Sequence, residues 1–201
     1  MRVINFNSKE EWFTGRLGKI TGSRLKDIVV KRGSGKKIGF YELIAERIAL
    51  PSTDENPMDR GTRLEEIAVS RFIEETGIKV ETGHTIWSRD DNNSIAISPD
   101  GWTEDLTQAV ESKSLSSARH IEAYLTQEIP DEYKMQTYQY FIVNDKLETL
   151  YFCFYDPRIP CKEFFYITIS RENIEKEIAE YLKYQEDTIK EVEEIVTKLT
   201  F

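Results

Sequence analysis

Residues 94–114, SIAISPDGWTEDLTQAVESKS, contain two strand-like stretches. The first ends at the turn-forming sequence Ser-Pro-Asp-Gly, and the second begins near Gln108 after a further turn. A hairpin between the two strands brings Asp100, at the end of the first, beside Glu111 in the second. The sequence therefore predicts two neighbouring carboxylates at one end of a sheet.

Side-chain alternation along the second strand adds further groups to this pair. Glu111 and Lys113 point to one face, whereas Ser112 points to the other and leaves its backbone carbonyl near that face. Carboxylate and carbonyl oxygens suit Mg²⁺ or Mn²⁺, and a lysine can position or deprotonate a water or stabilise charge on a phosphate. The alternative interpretation is a solvated surface hairpin, and on this pattern alone both interpretations stay open.

The length and composition predict one globular domain over 1–201. The chain has 201 residues, of which 39% are hydrophobic and 31% are charged, so it can bury a core without a disulfide or a structural metal. Two cysteines, Cys153 and Cys161, are too few for a four-cysteine metal site within one chain. No apolar run approaches the ~20 residues of a membrane span, and no signal-peptide pattern follows Met1. We expect a cytoplasmic protein with no membrane partner.

The net charge of −9 argues at first against a nucleic-acid partner, because binding phosphates requires clustered Lys and Arg. The charge is unevenly distributed, however. Residues 1–37 hold ten Lys and Arg against three Asp and Glu, whereas 38–170 hold twelve against twenty-four and 171–201 hold five against nine. The sequence thus predicts a basic N-terminal arm on an acidic body.

Apolar periodicity predicts the remaining elements. Helices are expected at 40–48, about 62–76, about 132–143 and about 171–199, the last being long and amphipathic. Strands are expected at 78–87, 94–98, 108–114, 150–155 and 163–169. This order favours an α/β fold, in the form of an α+β mixed sheet flanked by helices.

Seven short motifs then occur in order along the chain, each of them weak when taken singly. They are Trp12-x3-Arg16 continuing to Ser23, Ser34-Gly35-Lys36-Lys37, Arg60-Gly61-x3-Glu65, Ser98-Pro99-Asp100-Gly101, Glu111-x-Lys113, Tyr133-x2-Gln136 and Tyr155-Asp156-Pro157-Arg158. Together they resemble the phage lambda exonuclease family, also called YqaJ-type viral recombinases, within the PD-(D/E)xK nuclease superfamily. The resemblance implies a restriction-endonuclease-like core that carries the long C-terminal helix.

The resemblance also implies the roles of the site residues. The aspartate of Ser-Pro-Asp-Gly and the glutamate of Glu-x-Lys hold the catalytic metal in that family, and these positions are Asp100 and Glu111. The residue between Glu and Lys lends its carbonyl, which here is that of Ser112, and Lys113 acts on the attacking water. The helix glutamate after Arg-Gly supports a second metal, which points to Glu65.

Further positions follow from the same resemblance. Glu66 replaces Glu65 if the helix register is one residue off. The glutamine of Tyr-x2-Gln lies beside the reacting phosphate, which points to Gln136, or to Gln139 if that register shifts. Arg16 and Ser23 match residues that capture the 5′-phosphate of the shortened strand.

The implied activity is Mg²⁺-dependent 5′→3′ degradation of double-stranded DNA from its ends, with Mn²⁺ as a substitute metal. The products are 5′-mononucleotides and a surviving 3′ single strand. The implied partners are double-stranded DNA ends, further copies of the chain in a closed ring, expected as a trimer, and a single-strand annealing protein. Two alternatives stay open: a structure-specific or restriction-type endonuclease on the same fold, and a non-catalytic DNA-end-binding protein.

Overall fold

A four-stranded mixed sheet lies at the centre of the structure, a computed structural model that describes residues 35–50, 57–83 and 85–200. The helices are α1 Ile38–Ile48, α2 Pro57–Thr76, α3 Ser117–Thr126, α4 Asp131–Val143 and α5 Glu175–Thr200. The strands are β1 Trp87–Ser88, β2 Ala96–Ile97, β3 Gly101–Trp102, β4 Gln108–Lys113, β5 Thr149–Tyr155 and β6 Phe164–Ser170. The predicted features of 1–34 and 51–56 lie outside the described residues.

The sheet has the strand order β3-β4-β5-β6, and β1 and β2 form a separate antiparallel pair. β4 runs parallel to β5, with Val110 opposite Tyr151, whereas the β3–β4 and β5–β6 pairs are antiparallel. Parallel strands need a long crossover connection, and α3 and α4 supply it between β4 and β5.

The two faces of the sheet pack against different helices because side chains alternate along each strand. On one face, Val110 and Cys153 pack with Leu64 and Phe72 of α2. The other face packs on α4, where a second cluster includes strand residues and two helix aromatics: Ala109, Phe152, Phe154, Tyr140 and Phe141. The predicted mixed sheet flanked by helices is therefore confirmed.

The long C-terminal helix is also confirmed, and it lies along α4. Tyr181 of α5 stacks on Tyr138 of α4 with ring centroids 5.4 Å apart. Just before α5, the Arg171 guanidinium donates hydrogen bonds of 2.6–2.9 Å to the carbonyls of Leu147, Phe141 and Asn144. The contacts with Phe141 and Asn144 satisfy carbonyls at the end of α4, where a cation is also favoured by the helix dipole. Among the described helices, none is long and apolar enough to cross a membrane.

Three elements differ from the sequence prediction. The strand expected at 78–87 is mostly irregular, because only Glu81 bridges Trp102 and only the short β1 follows. Ile78 and Val80 are instead satisfied by packing against the α2 cluster. The sequence analysis missed α3, a ten-residue helix capped by Ser116, and α2 begins five residues early, at Pro57. Proline is well tolerated in the first turn of a helix, where its missing N–H costs no hydrogen bond.

A buried ion pair ties the end of β5 to the start of α3. Asp156 is fully buried and accepts hydrogen bonds from Arg158 Nε at 2.7 Å and from the Ser117 hydroxyl at 2.6 Å. Arg158 Nη2 also donates to the Leu115 carbonyl at 3.1 Å, just beyond β4. Burial favours the neutral acid, but the hydrogen bonds from Arg158 and Ser117 prevail and lower the pKa of Asp156.

Replacing this carboxylate should destabilise the fold. Asp156→Ala leaves Arg158 largely buried without its partner, so we expect the free energy of unfolding in urea at pH 7 to fall by about 3–5 kcal/mol. The pKa of Asp156 in the folded protein lies below the ordinary 3.8. The charge-dependent difference in unfolding free energy between wild type and Asp156→Ala is therefore complete above pH 3.8, and it disappears as the pH falls through the folded pKa.

The matched control is Glu122→Ala, which removes the partner of Arg119 in a partly exposed pair. This change should cost about 0–1 kcal/mol. An Asp156→Ala protein as stable as the Glu122→Ala protein would contradict the structural role of the buried pair.

Candidate active site

The β3–β4 hairpin places Asp100 against the end of β4. Gly101 pairs with Val110, so Asp100 lies opposite the last part of β4. The Ser112 N–H donates to Asp100 Oδ2 at 2.7 Å, and the Ser112 hydroxyl donates to the same oxygen at 3.2 Å. The predicted hairpin is wrong in its first strand, because β2 pairs with β1, and β4 pairs with β3, which begins after Asp100. Ser112 therefore faces Asp100, while Glu111 faces the opposite side of the sheet.

Helix α2 adds a second carboxyl group to Asp100. The side chains of Glu65 and Asp100 share a hydrogen bond, which requires one of the two groups to carry a proton. Burial, followed by this contact with Glu65, raises the pKa of Asp100 to about 7. Glu66, the alternative position, is exposed. The structure thus brings Glu65 to Asp100, as the resemblance implied.

Glu111 is held from the other side of the sheet. Its carboxylate is 1% exposed and accepts a hydrogen bond from Gln136 Nε2 to Oε1 at 2.7 Å. Lys113 Nζ contacts the same oxygen closely, and the Tyr140 hydroxyl donates to Oε2 in another close contact. Both oxygens of Glu111 are therefore satisfied by protein donors.

The charges of this group are strongly coupled. Burial raises the pKa of Glu111, as does the nearby Asp100, while Lys113 opposes both effects. Burial alone favours the neutral amine of Lys113, but contact with Glu111 outweighs it and raises the pKa of Lys113. The Lys113 ammonium also lies 5.6 Å from the centroid of the Tyr133 ring. Lys113 is therefore a cation at neutral pH.

Two cavities meet at the acidic pair. A cavity of about 190 Å³ is lined by Glu65, Ser112 and Lys113. A larger cavity of about 780 Å³ is lined by Glu65 and Asp100, and its rim includes Ile86, whose side chain is exposed. A molecule in either cavity can reach Glu65, and one in the larger cavity can also reach Asp100.

The oxygen ligands at this site are of the kind that a hard divalent cation prefers. Glu65 and Asp100 offer oxygens, and a bound cation could replace the proton that the pair now shares. Within 35–50, 57–83 and 85–200, no three His, Cys, Asp or Glu side chains lie close enough to hold a metal as they stand. Glu111 is instead engaged by Lys113, so its participation requires it to exchange that contact.

The two candidate glutamines have different hydrogen-bond partners. Gln136 contacts Glu111, whereas Gln139 donates to the Ala96 carbonyl at 3.2 Å and accepts from Gln185 at 2.9 Å. Gln136 is therefore the glutamine within the site.

Two further positions complete the comparison with the sequence analysis. Arg16 and Ser23 lie outside the described residues.

The sequence analysis missed Tyr140, although its place four residues after Gln136 puts both on one side of α4. Burial, followed by the charge of Glu111, raises the pKa of Tyr140 far above its usual range, so its hydroxyl is a donor.

Removing the Asp100 charge should stabilise the metal-free protein. Because the pKa of Asp100 is about 7 when folded and 3.8 ordinarily, wild-type stability falls as the pH rises from about 4 to 7, and the full penalty persists above pH 7. Asp100→Asn avoids this penalty, so its melting temperature in EDTA should exceed that of wild type at pH 8. The excess should be several degrees, at about 2–4 °C per kcal/mol.

At pH 4 wild type and Asp100→Asn should have similar melting temperatures. Glu66→Gln, the exposed neighbour, is the control and should follow wild type at both pH values. Parallel pH profiles for wild type and Asp100→Asn would contradict the raised pKa.

Comparison with known proteins identifies the family of the chain. The model of the YqaJ-like viral recombinase domain matches residues 11–147. A crystal structure of an alkaline exonuclease, LHK-Exo, from Laribacter hongkongensis is 31% identical, with a TM-score of 0.56, and the match covers 95% of this chain and 100% of that chain. The same enzyme in complex with dAMP gives 32% identity with the same TM-score and coverage. No curated protein matches the chain. The chain belongs to the family of YqaJ-like viral recombinases, the lambda-exonuclease-like family.

Proposed function

We propose that the chain is a metal-dependent exonuclease that degrades double-stranded DNA from its 5′ ends. The observation that carries this proposal is that Glu65, Ser112 and Lys113 line one cavity at the end of β4, while Glu65 and Asp100 line the cavity beside it. The similar Laribacter protein is an alkaline exonuclease, and its complex contains dAMP, a mononucleotide. The proposed products are 5′-mononucleotides and a 3′ single strand.

The proposed cofactor is Mg²⁺, with Mn²⁺ as a substitute. Its ligands would be the carboxylates of Glu65, Asp100 and Glu111 and the backbone carbonyl of Ser112. When bound, a divalent ion polarises the phosphate and makes a coordinated water more acidic. The contact between the carboxyl groups of Glu65 and Asp100 supports this assignment, because a bound cation would stabilise the negative charge that burial disfavours on Asp100.

The chain's own residues would handle the water and the developing charge. The attacking water forms a bond to phosphorus, and the bond from phosphorus to the 3′-oxygen breaks. Lys113 is held as an ammonium beside Glu111, so it can orient the water and stabilise negative charge on the phosphate. Gln136 fixes the Glu111 carboxylate that faces it.

Each such cleavage leaves a new 5′-phosphate on the shortened strand. We propose that Arg16 and Ser23, in the basic arm of 1–37, bind this phosphate. Arginine suits the task because its guanidinium forms paired hydrogen bonds with phosphate oxygens. Repeated capture of the same group would support processive movement along the DNA.

The proposed assembly is a closed ring of identical chains, expected as a trimer, that acts in the cytoplasm with a single-strand annealing protein. Tyr184 and Val192 of α5 support association, because both side chains are exposed. The annealing protein would bind the 3′ tails that the nuclease leaves.

Lys113→Ala should lower the rate of duplex hydrolysis by about 10²–10³-fold in Mg²⁺, because it removes a preorganised positive charge. The measurement is the release of mononucleotides from a 5′-phosphorylated linear duplex. Lys134→Ala, which removes an exposed cation paired with Asp131 on α4, is the matched control and should retain the full rate.

Covalently closed circular DNA in the same assay separates the alternatives. The proposed exonuclease leaves it intact, whereas an endonuclease cuts it. Full hydrolysis by Lys113→Ala would show that the assigned site is wrong, and no hydrolysis by the wild type would leave only an end-binding role.

Arg16→Ala should reduce the preference for a 5′-phosphate over a 5′-hydroxyl end. A charged hydrogen bond contributes about 1.5–3 kcal/mol, so the ratio of kcat/KM values for the two ends should fall about 10–100-fold. Arg2→Ala tests whether any charge in the arm has the same effect, and should leave the ratio unchanged. An unaltered ratio in Arg16→Ala would exclude Arg16 from the phosphate pocket.

A further inference from the structure

The hydroxyl of Tyr140 binds one of the two strand carboxylates of the site. It donates to Glu111 Oε2 in a close contact. Tyr140 is fully buried. Burial, followed by the charges of Glu111 and Asp100, raises its pKa, so the hydroxyl binds Glu111 within the electrostatic reach of Asp100.

The ring of Tyr140 is fixed by its surroundings. It packs edge-on against Trp87 with centroids 6.4 Å apart and belongs to the core cluster that includes Ala109 and Phe141. Protein cores are densely packed, so a side chain held in this way has one accessible position for its hydroxyl. The hydroxyl thus holds the Glu111 carboxylate at a fixed position.

Gln136 and Tyr140 together determine the orientation of Glu111. They are four residues apart on α4 and each donates to a different oxygen of the carboxylate. Tyr140 differs from Gln136 in that it is fully buried and part of the core. Loss of the Tyr140 hydroxyl leaves a buried carboxylate oxygen of Glu111 without this partner.

We propose that Tyr140 is a positioning residue that fixes the orientation of the Glu111 carboxylate for a divalent cation shared with Asp100. The inference rests on the proposed function, since it concerns the metal of that site. Tyr140 touches neither metal nor DNA in this scheme and acts through Glu111. Residues that orient metal ligands in this way commonly change metal affinity or activity by about 10–100-fold when replaced.

The test measures Mn²⁺ binding to the full chain without DNA, by the electron paramagnetic resonance signal of free Mn²⁺. Tyr140→Phe keeps the ring and removes the hydroxyl. Tyr138→Phe is the matched control, because Tyr138 lies on the same helix and stacks on Tyr181. The experiment is performed at low temperature, with circular dichroism to verify that each variant is folded.

We expect Tyr140→Phe to bind Mn²⁺ about 10–100-fold more weakly than wild type, and Tyr138→Phe to bind as wild type does. In hydrolysis assays, Tyr140→Phe should need correspondingly more Mg²⁺ for half-maximal rate, with an unchanged KM for DNA. Wild-type Mn²⁺ affinity in folded Tyr140→Phe would overturn the inference. Equal weakening in Tyr138→Phe would also overturn it, since the effect would then reflect α4 packing in general.

The outcomes separate this inference from the proposed function. If wild type binds Mn²⁺ in a Tyr140-dependent manner but hydrolyses no DNA, the nuclease proposal fails and the positioning role stands. If wild type hydrolyses DNA and Tyr140→Phe binds Mn²⁺ normally, only the positioning role fails. Absence of Mn²⁺ binding by wild type would overturn both.

Discussion

The burial of the Glu111 carboxylate is the constraint on which the arrangement of the site depends. An ionised carboxylate inside a protein is unfavourable by several kcal/mol unless charged and polar partners compensate it. Lys113, Gln136 and Tyr140 supply those partners from β4 and α4. The position of α4 against the sheet is therefore tied to the chemistry of the site as well as to the packing of its apolar residues.

The buried carboxyl groups on the opposite side of β4 have fewer partners that offset their burial. Glu65 and Asp100 face each other with a shared hydrogen bond, and the charge of Lys113 only partly offsets the effect of burial on Asp100. A fold selected for stability alone would avoid such a pair, because buried like charges oppose folding. The pair is consistent with a site that a cation completes, and the two cavities beside it give a substrate access to the same groups. Stability and function thus make opposite demands on Asp100.

Local rules of sequence predicted the part of the site that lies on neighbouring strands. The turn before Gly101 and the alternation along β4 bring Asp100 to the end of β4, but the strand that pairs there is β3 and the residue that faces Asp100 is Ser112. Glu65 is distant in sequence and reaches Asp100 only through the packing of α2, so its role came from the resemblance to a family. Tyr140 was missed because a tyrosine in an apolar stretch also suits an ordinary core position. Its hydroxyl acquires partners only in the tertiary structure.

The same distinction explains the errors in the fold. The alternating residues of 78–87 suggested a strand, but tertiary packing on α2 satisfied Ile78 and Val80 without a continuous ladder. Helix α3 is short, and its apolar residues gave a weak periodic pattern. The net charge of −9 was informative only when it was divided along the chain, since the acidic body contains the carboxylates of the site.

The central claim is that Glu65, Asp100 and Glu111 form one divalent-cation site with the Ser112 carbonyl. The most direct test is anomalous X-ray scattering from crystals of the protein grown with Mn²⁺. The account predicts a manganese peak within bonding distance, about 2.0–2.3 Å, of oxygens from Asp100 and Glu111, and the loss of that peak in Asp100→Ala crystals. A peak bound elsewhere, or no peak at a Mn²⁺ concentration that supports hydrolysis, would contradict it.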